Sequence, residues 1–291
     1  MIRALSPGDE DAVDAFLATR ADTSMFLRSN LRAVGLGWSA PGGATFEGHW
    51  VGRSVEGSLC GVACHAWNGM LMVQDDQPDE VVRAAVRASG RPVIGIVGPV
   101  AMSRAARAAL GLDDAATNLD SDEVLMRLEL DRLIVPRALQ EGAVTCRAAE
   151  PRDAALLAAW RHDYHVEALH EAPGDATLAI ATRSIATGIE RARLHVLERD
   201  GAIVATTGFN AALPDIVQIG GVWTPPALRQ RGYAQAVVAG SLLDARSRGV
   251  TRAVLFADPH HPSSTLAYRR IGFADAGSYL LLTFRAPQTI S

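Results

Sequence analysis

Short apolar runs are interrupted by two-residue turns at corresponding places in the two halves of the chain. Such runs flank Glu56-Gly57 in the first half and Asp200-Gly201 in the second. Asp-Gly between apolar runs is among the strongest hairpin signals, because both central residues of the favoured turn adopt positive φ angles. The pattern therefore predicts paired strands over residues 45–55 with 59–66, and over residues 194–198 with 202–210.

The remaining periodicity predicts an α/β chain of the α+β type. Each half opens with a short strand, at residues 2–5 or 144–148, and continues with an amphipathic helix that begins near a proline, followed by a second helical stretch. The second half then alternates between the two kinds of element: strand 215–223, helix 233–248, strand 253–257, helix 263–271 and strand 278–284. We therefore expect mixed, mostly antiparallel sheets flanked by helices.

An internal repeat organises the chain. The pattern R-A-x-x-P-x-D occurs at residues 3–9 and again at residues 147–153, an offset of 144 positions. The same offset carries Gly57 onto Gly201 and the pair Val73-Gln74 onto Val217-Gln218. Three matches at one offset indicate a tandem duplication. We place the boundary near residue 140, which gives domains over residues 1–140 and 141–291.

Composition excludes several classes of protein. The 291 residues are 48% hydrophobic and 21% charged, as in ordinary globular domains, so disorder, collagen and coiled coil are poor interpretations. The longest mainly apolar run, residues 92–102, is about half of the roughly 20 residues that cross a bilayer, and no signal peptide pattern opens the chain. We expect no membrane association and a cytoplasmic location.

The charge distribution favours an anion in the second half. Net charge is −4, with 13 arginines against 18 acidic residues in residues 1–140 and 15 against 14 in residues 141–291. Neither half has the clustered basic surplus of a nucleic-acid-binding domain. The cysteines Cys60, Cys64 and Cys146 are scattered without a C-x-x-C motif, which favours small buried thiols over a disulfide or zinc.

A glycine- and arginine-containing loop is the main candidate for chemistry. It spans residues 224–234, directly after a predicted strand and before a long predicted helix. A helix N-terminus presents free backbone N–H groups and a positive dipole end, and Gly232 and Ala234 allow a phosphate to approach the backbone. Arg229 and Arg231 add two cations. The loop therefore predicts a diphosphate cradle, with a solvated arginine-rich loop as the alternative.

Two segments resemble a known family. The pattern Val222-x-Thr-Pro-Pro-x-x-Arg229-x-Arg-Gly232-x-Ala234, followed by Tyr268-Arg-Arg-Ile-Gly272-Phe273, resembles the acetyl-CoA loop and the Y-x-x-x-G-F segment of the GNAT N-acetyltransferase superfamily. Residues 160–169 and 220–226 are similar to its predicted two-domain acetyltransferases. The resemblance covers residues 144 to 285, and the first half joins it only through the repeat and its layout. Tandem GNAT-like domains are therefore expected.

The resemblance implies roles for particular residues. Acetyl-CoA would be the co-substrate, with no metal, and Tyr268 would protonate the departing thiolate, unless it only fills the core as a packing aromatic. The glycines at 220 and 221 are consistent with a splayed gap for the thioester, because glycine within a strand marks a bulge or a close approach. The expected acetyl-CoA contacts are Val222, Trp223 and Thr224 with pantetheine, Gln230, Arg231, Gly232, Tyr233, Ala234 and Gln235 with the pyrophosphate, and in addition Arg229, His261 and Ser264.

Two positions depart from the family pattern. His261 stands where many relatives carry asparagine, and Gln218 stands where histone-acetylating relatives carry a glutamate base. An amide has no useful basicity, so the role of base does not transfer to Gln218. Glu167 is the candidate base, because the segment after the first helix lines the acceptor site in the superfamily. A solvated carboxylate on a helix face is the alternative.

Two further clusters limit the interpretation. His162, His165 and His170 are spaced unlike the i, i+4 pair of a helical zinc site, so acceptor recognition is favoured over metal binding. In the first half four acidic residues occupy the place of the cradle, where they would repel a phosphate: Asp75, Asp76, Asp79 and Glu80. We therefore expect residues 1–140 to be a degenerate GNAT-like domain that has no acetyl-CoA loop and shapes or covers the acceptor site.

These observations predict an acetyl-CoA-dependent N-acetyltransferase. Its second domain would transfer acetyl to a primary amine of a small molecule or of a peptide or protein by direct attack. The alternative is a non-catalytic acyl-CoA-binding regulatory module, which the missing acid at Gln218 favours. A third interpretation is a structural interaction protein whose loop binds no CoA. The identity of the acceptor and the oligomeric state have no sequence signal.

Overall fold

A computed structural model describes residues 1–39 and 43–290 of the chain. The chain divides into two compact units, and the bounds of neither unit coincide with those of a predicted domain. The first unit comprises Met1–Glu123 and Ser278–Ser291, and the second comprises Val124–Gly277.

The strands and helices that the periodicity predicts are present in the predicted order, and the structure adds the elements between residues 70 and 140. In the first part of the chain they are β1 (Ile2–Ala4), α1 (Glu10–Ala18), α2 (Met25–Val34), β2 (Gly48–Val55), β3 (Ser58–Ala66), β4 (Met70–Asp75), α3 (Asp79–Ser89), β5 (Val93–Pro99), α4 (Val100–Ala109) and β6 (Thr117–Glu129). After the short helix α5 (Arg137–Gln140) come β7 (Thr145–Ala148), α6 (Ala154–Ala168), α7 (Asp175–Glu190), β8 (Leu194–Arg199), β9 (Ala202–Ala212), β10 (Ile216–Trp223), α8 (Tyr233–Ser247), β11 (Arg252–Ala257), α9 (Pro262–Arg270) and β12 (Ala274–Gln288).

The two units share one strand order. The first unit has the order β1-β2-β3-β4-β5-β12, and the second has β7-β8-β9-β10-β11-β6. Within each unit one neighbouring pair is parallel, β4 with β5 and β10 with β11, whereas the other registered pairs are antiparallel. The predicted fold class is confirmed, and the sequence repeat corresponds to a repeated topology.

The last strand of each unit comes from the other half of the sequence. Residues 124–129 of β6 pair with β11, and residues 279–283 of β12 pair with β5. The compact units therefore do not divide at residue 140, which lies inside the second unit. The physical reason is core packing: Leu280 and Leu282 are fully buried in the core of the first unit, and Met126 and Leu128 in that of the second.

Both predicted hairpin turns are present. Glu56 and Gly57 have φ angles of 50° and 83°, and Asp200 and Gly201 have 52° and 78°. Two consecutive positive φ angles define the turn whose twist matches that of the flanking strands. These turns set the register of β2 with β3 and of β8 with β9.

Helices cover both faces of the sheet in the second unit. On one face α8 packs with Val217 and Ile219 of β10 in the main hydrophobic core. Successive side chains of a strand point to opposite faces, so Gln218 lies on the other side. There α6 and α7 form a smaller core with β8 through Leu157 and Ile185. The strand β10 is thus buried on both sides and carries a polar residue toward α6 and α7.

The three cysteines form no disulfide. Cys64 is buried, Cys60 and Cys146 are partly buried, and all three are free thiols. Burial raises the pKa of the Cys146 thiol to about 12. No helix in the described part of the chain combines the length and the apolar character that crossing a bilayer requires.

Candidate active site

A gap opens between the two parallel strands of the second unit. Paired residues of β10 and β11 run from Ile216 with Arg252 to Ile219 with Leu255, and then stop although both strands continue. Beyond this point β10 also loses register with β9, and Gly221 adopts a φ angle of +57°. The end of β10 therefore keeps a pair with β9, Trp223 with Thr206, but has none with β11. This gap between β10 and β11 is consistent with the place that the glycine pair suggests for the thioester.

The loop after β10 leads into an uncapped helix N-terminus. Nine residues separate β10 from α8, and Gly232 is the N-cap residue with a φ angle of +78° and no side-chain cap. The first N–H groups of a helix have no acceptor within the helix, and they carry the positive end of its dipole. A Cβ built at Gly232 meets nothing within 4 Å, so the approach to these groups is open. The site fits an anionic group such as a diphosphate.

The two loop arginines have different environments. Arg229 donates from Nε to the Thr224 carbonyl at 3.1 Å, and its guanidinium lies 5.0 Å from the ring centre of Trp223. It also forms an ion pair with Glu167 of α6 at 2.8 Å. Arg231 is exposed, and its contact among the described residues is a hydrogen bond to the Ala227 carbonyl at 3.4 Å. Arg229 therefore joins the loop to α6, and Arg231 is the more accessible cation.

The end of β10 carries buried polar atoms without partners. Trp223 Nε1 and Thr224 Oγ1 are buried and have no hydrogen-bond partner among the described residues. Buried polar groups are nearly always hydrogen-bonded, so such atoms call for an explanation. Val222, between Gly221 and Trp223, packs against the α8 core. An extended ligand with amide groups, such as pantetheine, would provide partners at the open end of this strand.

Three predicted residues lie on α9 or at its start. Tyr268 is partly buried against the main core, with its ring centre 6.1 Å from that of Phe273. His261 is the N-cap residue, and its Nδ1 lies 2.7 Å from an Asp258 carboxylate oxygen. Ser264 is in the first turn. The contact with Phe273 agrees with a packing role for Tyr268 and leaves its role as an acid a prediction.

The histidine-rich end of α6 is held by local contacts. His165 lies 2.9 Å from a Glu171 carboxylate oxygen, and His162 lies 3.3 Å from one of Asp163. The Gly174 N–H donates to Nε2 of His162 at 3.4 Å. Within the described ranges, no three histidine, cysteine or acidic side chains are grouped to hold a metal ion. These contacts order the segment between α6 and α7.

Two polar side chains that the sequence did not assign lie against the bulge. The Asn210 carboxamide fills the place of a Cβ at Gly220, and the Arg161 guanidinium fills that place at Gly221. Gln218, two residues before Gly220, is buried, and its Oε1 has no hydrogen-bond partner among the described residues. The glycine pair was the available signal, because glycine in a strand marks the close approach of another group.

The connection between β4 and α3 in the first unit differs from the loop after β10 in length and charge. Only three residues separate β4 from α3, and the first turn of that helix carries Asp79 and Glu80. Asp75 is buried in an ion pair with Arg53. An anion would meet a short connection and negative charge here.

The matching glutamine of the first unit is satisfied within the protein. Gln74 Oε1 accepts from the hydroxyls of Thr23 at 2.8 Å and Ser24 at 3.2 Å. Its Nε2 lies 3.5 Å from the sulfur of Met102, on a helix that begins directly after β5. The repeat therefore gives an internal comparison: the Gln74 amide oxygen has two hydrogen-bond donors, whereas that of Gln218 is buried without a partner among the described residues.

Comparison with known proteins agrees with this geometry. Residues 154–273 match the family model described as the acetyltransferase (GNAT) family. No curated protein sequence gives a significant match. The match spans α6 to the residues directly after α9, and so includes the gap, the loop and the helix N-terminus.

Solved structures of the same fold cover nearly all of the chain. A Drosophila protein aligns over 97% of this chain and 98% of its own, with a TM-score of 0.66 and 13% identity. A GCN5-related N-acetyltransferase from Sphaerobacter thermophilus aligns over 100% of this chain and 98% of its own, with a TM-score of 0.55 and 17% identity. A tandem GNAT protein from the clavulanic acid biosynthesis pathway aligns over 97% of both chains, with a TM-score of 0.52 and 14% identity. Residues 154–273 therefore form a domain of the acetyltransferase (GNAT) family.

Proposed function

We propose that the second unit transfers an acetyl group from acetyl-CoA to a primary amine. The observation that carries this proposal is the uncapped N-terminus of α8, open at Gly232, which the loop after β10 connects to the gap between β10 and β11. A phosphate-binding helix end next to splayed strands suits a long ligand with a diphosphate at one end and a reactive group at the other. The family membership supports acyl transfer in general.

Residues of the second unit would hold the co-substrate in two parts. The amides of residues 230 to 235 would bind the pyrophosphate, with Arg231 as the accessible cation. Val222, Trp223 and Thr224 would pair with pantetheine as an added strand, which would supply partners for Trp223 Nε1 and Thr224 Oγ1. The reactive thioester would then lie in the gap near Gly221.

The transfer forms a C–N bond and breaks a C–S bond. The uncharged amine would attack the thioester carbonyl, Tyr268 would donate a proton to the thiolate that leaves, and Glu167 would accept a proton from the amine. Backbone N–H groups at the end of β10 would stabilise the oxyanion. Each assignment of a proton donor or acceptor is a proposal that a substitution can test.

A non-catalytic acyl-CoA-binding module is the second candidate. Two observations favour it: Gln218 is an amide at the position of a possible base, and Glu167 is engaged by Arg229. Such a module would keep the cradle and bind acetyl-CoA without turnover. Binding and turnover must therefore be measured separately.

Calorimetric titration of acetyl-CoA tests the cradle. Gly232→Asp should abolish measurable binding, because it places a side chain and a negative charge at the site of the diphosphate. Gly232→Asn adds nearly the same volume without charge and should weaken binding less. The matched control is Gly201→Asp, which has the same φ angle of +78° and also meets nothing within 4 Å, but lies in the β8–β9 turn.

The outcomes separate the candidates. Binding that is lost in Gly232→Asp and kept in Gly201→Asp supports the cradle, and thiol release with amines then supports an enzyme. Binding without thiol release across the amine panel supports the non-catalytic module. Folded wild-type protein that does not bind acetyl-CoA would overturn both.

A further inference from the structure

The bulge of β10 brings two polar groups onto consecutive glycines. A Cβ at Gly220 would collide with the Asn210 carboxamide, and a Cβ at Gly221 would collide with the Arg161 guanidinium. Ile219 packs in the α8 core, so alternation along β10 directs the Cβ position of Gly220, where the Asn210 carboxamide lies, to the face of the sheet that α6 and α7 cover. Both groups therefore reach the β10 backbone next to the gap.

The Arg161 guanidinium has no carboxylate partner in the described part of the chain. The acidic side chains at this end of α6 are engaged elsewhere: Glu167 with Arg229, Glu171 with His165 and Asp163 with His162. Arg161 is partly buried, and burial lowers the pKa of its guanidinium. A buried charge without an ionic partner destabilises the folded protein, so we expect a bound ligand to bring the anion that pairs with Arg161.

Aromatic rings hold the guanidinium in place. Its central carbon lies 5.4 Å from the ring centre of Tyr164, whose ring is 6.4 Å from that of Trp223 in an edge-to-face arrangement. Cation–π contact fixes a guanidinium but leaves its N–H groups free to donate. The cation is therefore positioned one residue from the strand segment proposed to pair with pantetheine.

We propose that Arg161, with Asn210 beside it, binds a carboxylate carried by the amine acceptor. The proposal rests on the proposed function and narrows the acceptor to amino acids and other amines with a carboxylate. The planar guanidinium donates two parallel hydrogen bonds to a carboxylate, and the Asn210 amide adds a neutral donor. The cation would hold the acceptor at the gap while its amine faces the thioester.

A panel of matched acceptors tests this on the wild-type protein. Each amino acid is compared with its amide and with its decarboxylated amine by thiol release at saturating acetyl-CoA, and glucosamine 6-phosphate tests a phosphate as the anion. We expect kcat/KM to be about 10- to 100-fold higher for the acids, the range for a hydrogen bond to a charged group. Equal or faster turnover of the decarboxylated amines, preference for the phosphate, or no turnover of any carboxylate-bearing amine would overturn the proposal.

Substitution assigns the effect to Arg161. Arg161→Gln should raise KM about 10- to 100-fold for the acid and leave KM for its decarboxylated amine unchanged, whereas Arg161→Lys should restore part of the difference. Asn210→Ala should give a smaller effect of the same sign. The control is Arg183→Gln on α7, an exposed arginine. Equal changes for acid and amine would overturn the assignment.

Acetyl-CoA affinity distinguishes the two proposals. Calorimetry should give the same Kd for acetyl-CoA in Arg161→Gln and in the wild type. Intact acetyl-CoA binding together with no preference for carboxylates would overturn the acceptor inference and leave the proposed function in place. Folded wild-type protein that does not bind acetyl-CoA would instead overturn the proposed function.

Discussion

Arg229 and Glu167 form an ion pair, with a guanidinium nitrogen 2.8 Å from a carboxylate oxygen, although they are 62 positions apart in the sequence. The sequence assigns them separate roles, one in acetyl-CoA binding and one as a base. The pair joins the loop after β10 to the end of α6. Because both side chains are more than a third exposed, it contributes little to stability, and its importance lies in positioning.

Glu167→Gln tests the base. If the carboxylate accepts the proton of the amine, kcat should fall by about 100-fold or more. The Kd for acetyl-CoA should not rise, because the substitution removes only the ion-pair partner of Arg229. Thiol release measures kcat, and calorimetry measures the Kd.

Glu171→Gln is the matched control for Glu167. It is a carboxylate on the same segment, paired with His165 instead of a loop arginine. A kcat for Glu167→Gln equal to that of Glu171→Gln would remove Glu167 from the reaction.

Tyr268→Phe tests the proposed acid. The substitution removes one hydroxyl and keeps the ring that packs near Phe273, so the fold and the Kd for acetyl-CoA should persist. Loss of general acid catalysis should lower kcat by up to about 100-fold. Tyr279→Phe in the first unit is the control. If Tyr268→Phe turns over like the wild type, the ring has only a packing role.

Chain fragments test the exchange of the last strands. A fragment of residues 124–277 keeps β6 beside β11 and should fold and bind acetyl-CoA. A fragment of residues 141–291 follows the predicted boundary, but it lacks the buried side chains of Met126 and Leu128 and carries β12 without β5. It should lose cooperative unfolding, as measured by circular dichroism. A 141–291 fragment that unfolds cooperatively and binds as tightly as 124–277 would contradict the exchange.

The first unit should lose stability in mild acid through His65. Burial, assisted by the positive charge of Arg91, lowers the pKa of His65 to about 4, from an ordinary value near 6.5. The neutral ring therefore stabilises the native state above pH 6.5, and this contribution, up to about 3 kcal/mol, is lost as pH falls from 6.5 toward 4. Urea unfolding at pH 7, 5.5 and 4.5 measures it.

His65→Gln should reduce this pH dependence. The control is His260→Gln, at an exposed histidine, which should leave it as in the wild type. A wild-type unfolding free energy that falls no faster than that of His65→Gln between pH 7 and 4.5 would contradict the assignment.

Local patterns predicted the hairpins, the repeat and the cradle because each depends on neighbouring residues. Glu56-Gly57 and Asp200-Gly201 form the predicted turns, and Gly232 stands at the start of a helix. The repeat offset also holds through β4 and β10. The offset breaks after these strands, because nine residues separate β10 from α8 and three separate β4 from α3. The additional residues of the second unit therefore lie in the proposed cradle.

Local sequence patterns do not predict the contacts between segments that are distant in the sequence. Residues 124–129 and 279–283 are both plausible partners for a strand edge by composition, and hydrogen-bond register with core packing decides which sheet each one joins. In the same way, Arg161 of α6 contacts the backbone at Gly221, sixty positions later in the sequence, and no local sequence pattern predicts a contact over that distance.

By itself, therefore, the sequence determined the hairpins, the order of the elements in the second half, the family resemblance and the residues of the loop, because turn, helix-start and periodicity preferences act over a few residues. Only the tertiary structure decided which strands close each sheet, which carboxylate Arg229 contacts, and which cation lies at the bulge without a carboxylate partner among the described residues. Those outcomes follow from the competition of distant segments for the same edge, core or charge.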